Sequence, residues 1–209
     1  ADLRHTVRFK WQQAKFTSGM QVFNKQIVSN DRGNHKHLHT GIYANLQHQL
    51  LNRLFLTEGI RADWDQSYKW SLIPQLNLAY TGSIATIRAS ISKGIRDADF
   101  TERYNNYNKP LVTGGSIGNP ALEAERSFNM EMGADLFLDK PVQVHATLFQ
   151  RNQASLIDWA TTAYANMPIR NNLIPTGIYA LASNIANINT KGAELDFSGN
   201  HSWGKETKL

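Results

Sequence analysis

From Ser127 onward the chain alternates between apolar and polar positions. Phe128, Met130, Met132, Ala134, Leu136 and Leu138 share one parity, and Ser127, Asn129, Glu131, Gly133 and Asp135 the other. A period of two describes a strand with one dry and one wet face, not a helix. Strands of water-soluble sheets usually run about 5 to 6 residues, and a tilted strand needs about 9 to 11 to cross a bilayer. At roughly a dozen residues, this run has the length of a membrane-barrel strand.

The same period recurs along the chain. Residues 3–11 alternate Leu3, His5, Val7, Phe9 and Trp11 against Arg4, Thr6, Arg8 and Lys10. A turn over 14–19 leads to a weaker strand over 20–28, and 29–34 reads as a loop of turn-forming residues. Further strands are predicted over 41–50, 54–64, 70–80 and 84–94, joined by tight turns at 51–53 and 81–83. Glu58 interrupts an otherwise apolar parity, which a bulge or a protein-covered patch explains, because a charge facing lipid is costly. Arg88 falls on the inward parity. A long connector over 95–126 precedes the 127–138 strand, and Asp139 and Lys140 turn the chain into a strand over 142–159. A second connector over 160–182 holds Pro168 and Pro175, which argue against strand there. A ninth strand runs over 184–198, and Trp203 starts the next element.

The fold class predicted is all-β: antiparallel up-and-down strands forming a section of a transmembrane β-barrel, in one domain over 1–209. Connections alternate short and long, as in barrels with short periplasmic turns and long outer loops. That sidedness puts Trp64, Trp70 and Trp159 at outer strand ends and Trp11 and Trp203 near the periplasmic turns. Indoles at both ends of the strands read as two interfacial girdles. The alternative is a soluble β-sandwich serving as a binding or interaction module, whose tryptophans would pack inside the strands.

Composition changes this picture little. Hydrophobic residues make up 41% and mean hydropathy is −0.43, values that alternation allows a barrel to share with soluble proteins. The formal charge is +5, yet Lys and Arg are dispersed and no basic run is interleaved with aromatics, so no nucleic-acid partner is expected. Cysteine is absent, which removes disulfides and thiolate metal sites. No secretory leader pattern is read in residues 1–11.

Candidate chemistry is sparse. No nucleophile elbow, phosphate loop or zinc-protease motif occurs, so no enzyme and no cofactor are expected. The carboxylate pairs Asp63 with Asp65 and Glu123 with Glu125 read as solvated surface. His35, His37 and His39 share one parity, so three imidazoles can converge as metal ligands; the competing reading is a solvated strand end. In the connector, Arg96, Arg103, Tyr104, Tyr107 and Lys109 offer cationic and aromatic ligand contacts, or, for Arg96 and Tyr104, anchors against the barrel rim. Replacing residues 105–114 by a Gly-Ser linker is expected to weaken ligand binding and leave folding intact.

Several stretches together carry a resemblance. Asn119, Pro120, Leu122, Glu125 and Ser127 follow N-P-x-L-x-x-E-x-S, and Ser92, Gly94, Ile95, Arg96, Phe100, Glu102 and Tyr104 follow S-x-G-[FI]-R-x-x-x-F-x-E-[LR]-Y. Phe149, Arg151, Leu156, Ile157 and Trp159 match F-x-R-x3-5-L-I-x-W, and Asn184, Asn187, Gly192 and Glu194 match a Y-x-N-x(n)-G-x-E strand. In this order they resemble the barrel of TonB-dependent outer-membrane receptors. The chain departs at Ala98 and Ala124, where that family usually has proline, and at Glu123, where it has lysine. The resemblance implies about nine strands of a barrel of about 22. It also implies placement in outer-membrane lipid and capture of a scarce small-molecule nutrient, with an iron-siderophore chelate the commonest case. Uptake would be driven by a TonB-type energy-coupling protein, acting through a plug domain and leader that lie elsewhere in the parent protein.

Overall fold

The computed structural model describes residues 2–137 and 142–199. Among these residues ten strands, one short α-helix and a single 3-10 turn (Tyr164–Asn166, between the last two strands) follow in the order β1 (Asp2–Trp11), β2 (Ala14–Ser29), β3 (Gly33–Leu51), β4 (Leu54–Asp65), β5 (Lys69–Thr81), β6 (Ala85–Arg96), α1 (Phe100–Tyr104), β7 (Val112–Ile117), β8 (Glu125–Phe137), β9 (Val142–Thr162) and β10 (Leu173–Gly199). All ten strands belong to one sheet in the order β1-β2-β3-β4-β5-β6-β8-β9-β10-β7. Pairing is antiparallel throughout except for β7, which lies parallel to the first part of β10.

The apolar parity of every long strand faces one side of this sheet, and no second sheet covers it among the described residues. Met132 is 59% exposed, Leu148 62% and Phe197 69%. A soluble protein rarely leaves an apolar face of this extent open to water. A sandwich would need a facing sheet about 10 Å away, so the sandwich reading is set aside. The opposite face carries polar pairs such as Arg88 Nη2 with Asp135 Oδ1 at 2.8 Å, where Arg88 has its expected inward aspect. Buried hydrophobic residues form two small clusters, both where the connectors fold against the strands. One comprises Val112, Ile117, Met167, Leu173, Tyr179 and Leu181, and the other Ala98, Leu122, Ile157 and Ala182 with Trp159 packed on it.

Several boundaries differ from those the sequence predicts. Residues 14–19 are strand, not turn, because Gln12 adopts a left-handed φ of 47° and makes the reversal within two residues. β3 begins at Gly33, whose φ of 84° suits glycine, so the loop expected over 29–34 shrinks and the histidines lie inside a strand. The connector over 95–126 is not structureless: it contains α1 and β7. β10 begins at Leu173 and contains Pro175, which sits within the register shift between Leu173 and Ile178, where the β7 ladder is interrupted and a missing N–H is tolerated. The β3–β4–β5 ladder runs through Glu58 opposite Leu46 and Leu76 without a bulge, leaving Glu58 exposed.

The girdle also changes. Trp64 stands opposite Trp70, which is 69% exposed, and Trp11 is 66% exposed at the other end. Trp159 instead packs against the buried cluster under the connector. Ser155, with φ 56°, and the neighbouring register shifts re-aim the end of β9. Leu138, Asp139, Lys140 and Trp203 lie outside the described residues.

Candidate functional site

The connector between β6 and β8 is folded by local signals. Asp99 caps α1, its carboxylate accepting from Thr101 N and Glu102 N, while Glu102 reaches back to Asp99 N at 2.8 Å. This reciprocal capping box fixes a helix too short to persist alone. Gly118 donates to Asn105 O at 2.9 Å, so close that a Cβ there would overlap the backbone of Arg103, Tyr104 and Asn105.

Residues carrying the family resemblance meet at this point. The Arg96 guanidinium forks onto Glu125, with Nε to Oε2 at 2.8 Å and Nη2 to Oε1 at 2.6 Å, and its Nη1 reaches Glu102 at 3.0 Å. Glu125 Oε1 also accepts from Ile157 N at 2.8 Å. Arg103, 4% exposed, donates to the carbonyls of Pro120 and Leu122 and to Asp97 Oδ1 at 2.6 Å. Asn184 holds Glu123 by both backbone groups and reaches Ser155 O at 2.7 Å, while Asn187 accepts from Ser155 N. The bulge in β9 thereby keeps its backbone polar groups satisfied. Phe149 lies over Gly192, where a Cβ would collide with its ring.

Between this knot and the polar face of β3 and β4 is a cavity of about 330 Å³, lined among others by His37, His39, Asp63, Asp65, Tyr68 and Asp97. His37 Nε2 donates to Asp65 at 2.8 Å and faces Asp97 Oδ2 at 3.5 Å. His39 places Nδ1 3.1 Å from Asp65 Oδ2 and Nε2 3.3 Å from Arg61 Nη2. Tyr68 OH lies 3.4 Å from His39 Nδ1, and burial, reinforced by Asp63, Asp65 and Asp97, pushes its phenol well above the usual tyrosine value. Asp63 and Asp65, expected at a solvated surface, are 4% and 2% exposed.

The three histidines do not converge on one point. His35 stacks on Tyr104 with centroids 3.5 Å apart and donates Nε2 to Arg32 O at 2.7 Å, while His37 and His39 meet at Asp65. Of the five connector residues singled out from sequence, Arg96 and Arg103 are taken up by ion pairs and carbonyls within the knot, and Tyr104 holds His35. Tyr107 is half-buried edge-on to Tyr104, with burial raising its phenol, and Lys109 is exposed with no ion-pair partner among the described residues. Asp65, Asp97 and Tyr68 were not picked out as site residues from sequence. A signal existed: Asp65 lies directly opposite His39 in the β3–β4 register, but that register is visible only once the strands are paired.

An unclosed, one-sheet antiparallel wall with an apolar outer face and a folded connector at one rim defines a section of an outer-membrane β-barrel. All of residues 1–209 match the family described as TonB dependent receptor-like, beta-barrel, and the chain belongs to that family. No curated protein matches the sequence. Among solved structures, the siderophore receptor PirA of Pseudomonas aeruginosa superposes with a TM-score of 0.74 at 19% identity, over 93% of this chain and 36% of its own. The ferric enterobactin receptor PfeA of Pseudomonas aeruginosa, in complex with enterobactin, gives 0.70 at 15% identity over 93% and 32%. The FrpB iron transporter of Neisseria meningitidis gives 0.69 at 16% identity over 94% and 32%. The chain thus spans about a third of the length of the receptors it matches. Family and fold are those of transport receptors, which sit in the outer membrane, and not of enzymes.

Proposed function

We infer that residues 1–209 form one partial barrel domain of an outer-membrane receptor that captures an iron-siderophore chelate for energy-coupled uptake. A TonB-type protein would supply the energy by acting on a plug domain within the barrel. The observation that carries this reading is the shared fold with receptors named for siderophores, ferric enterobactin and iron. Recognition is assigned here to the connector between β6 and β8. The knot uses Arg96, Arg103 and Tyr104 to hold the connector, and Tyr107 and Lys109 remain to meet the chelate.

The linker replacement over 105–114 is a poor test, because it removes the start of β7 and the contacts of Asn105 and Asn106 with Ser116 O. Point variants are cleaner. In the receptor carrying this chain, Tyr107→Ala combined with Lys109→Ala should weaken binding of ferric enterobactin, or of whichever chelate in a hydroxamate and catecholate panel the parent binds, at least about tenfold (about 1.4 kcal/mol). An unchanged dissociation constant, measured by titration calorimetry on folded protein, would place recognition elsewhere. A parent that binds no ferric chelate would reject the nutrient class.

A further inference from the structure

Beneath the connector, an imidazole and two carboxylates from three separate elements approach one point. His37 comes from β3, Asp65 from the end of β4, and Asp97 from the connector directly after β6. One ligand atom of each lies within 4.8 Å of the others. We propose that His37, Asp65 and Asp97 bind a divalent transition-metal ion of the zinc class, which clamps the connector to the barrel wall.

Zinc bonds to imidazole nitrogen and carboxylate oxygen are about 2.0 to 2.2 Å, so neighbouring ligands of a tetrahedral ion stand roughly 3.3 to 3.6 Å apart. The 3.5 Å from His37 Nε2 to Asp97 Oδ2 has that spacing already. The 2.8 Å contact from His37 Nε2 to Asp65 Oδ2 is a hydrogen bond. The metal would replace its proton and open it by about 0.5 Å. One imidazole nitrogen and two carboxylate oxygens form the mixed N and O donor set that zinc takes.

Outer contacts hold each carboxylate. Arg103 occupies Asp97 Oδ1 and leaves Oδ2 facing His37, while Ser67 N donates to Asp65 Oδ1 at 2.8 Å and His39 Nδ1 lies 3.1 Å from Oδ2. Such partners orient ligands at metal sites. Asp63 lines the same cavity at 4% exposure, but its charge is taken up by the Arg61 guanidinium, whose Nε lies 2.6 Å from Oδ1, and it is not one of the ligands. His35 has no part in the site, since its Nε2 is committed to Arg32 O. The inference does not depend on which nutrient the receptor takes up.

The test is a calorimetric titration of zinc chloride into the receptor carrying this chain, in detergent after treatment with a chelator. One saturable equivalent is expected. His37→Gln and Asp97→Asn should each weaken it at least about a hundredfold, the upper end of what losing even an outer-shell partner costs. His35→Ala should change it less than about twofold, since it removes no ligand. No saturable binding by folded receptor, unchanged affinity in both ligand variants, or equal loss in His35→Ala would overturn the proposal. Should the ligand variants fail to fold, cobalt titration of the unmodified receptor decides. Intense visible absorption of a four- or five-coordinate ion, displaced by zinc, supports the site, and only the weak spectrum of six-coordinate cobalt rejects it.

Discussion

At the residue scale, parity decides what a side chain costs. Met132 and Glu131 are neighbours in β8, yet Met132 stands on the exposed apolar face opposite Ala89 and Leu148, whereas Glu131 faces the polar side opposite Ser90 and Phe149. Arg or Lys on a lipid face costs about 2 to 4 kcal/mol near the midplane and little in the lumen. Met132→Arg in the receptor carrying this chain should therefore lose about that much stability when refolded into lipid vesicles, and Glu131→Arg much less. Equal losses in urea titrations would contradict the assignment of faces. Glu58 marks the exception to the parity rule, since it shares a face with Ile60 and meets no counter-charge among the described residues.

At the element scale, the connector over 95–126 is a folded unit. It has its own capping box, buried arginine and strand. Its weakest tolerance is at Gly118, where the backbone passes against the end of α1. A methyl group there forces the two segments apart, and overpacking of this kind costs about 1 to 3 kcal/mol. Gly118→Ala should leave the barrel folded but loosen α1, so that trypsin cuts after Arg103 faster by about 5- to 160-fold, the population change that energy implies. An unaltered cleavage rate would show that α1 is held by something other than this packing.

At the scale of the whole molecule, the sheet has two free edges among the described residues: there β1 pairs only with β2, and β7 covers β10 only as far as Leu181, leaving the rest of its outer side unpaired. Unpaired backbone along edges this long is a template for further strands. The 209-residue chain prepared alone should therefore self-associate in detergent, with sedimentation giving dimers or larger species that grow with concentration. A monomer across the whole concentration range would mean that these edges are protected.

The sequence by itself determined the nine long strands, their faces and the family, because alternation is a local property and a lipid face leaves it uninterrupted over nine positions, as from Phe128 to Leu136. It also determined that Arg96 and Glu102, or Asn184 and Asn187, stand at the spacing of their motifs. Only the tertiary structure decided what those residues hold. Arg96 reads as a ligand contact until Glu102 and Glu125 are seen on either side of it. Trp159 reads as an interfacial anchor until the left-handed backbone at Ser155 re-aims the end of β9. β7 was hidden because six residues of Gly-rich sequence carry little alternation and pair with a strand more than fifty positions away. The cluster of His37, Asp65 and Asp97 was hidden for the same reason: its members touch only through strand register and a folded connector. Non-local pairing and the packing of one element against another are absent from any local pattern, and they decide where charges meet.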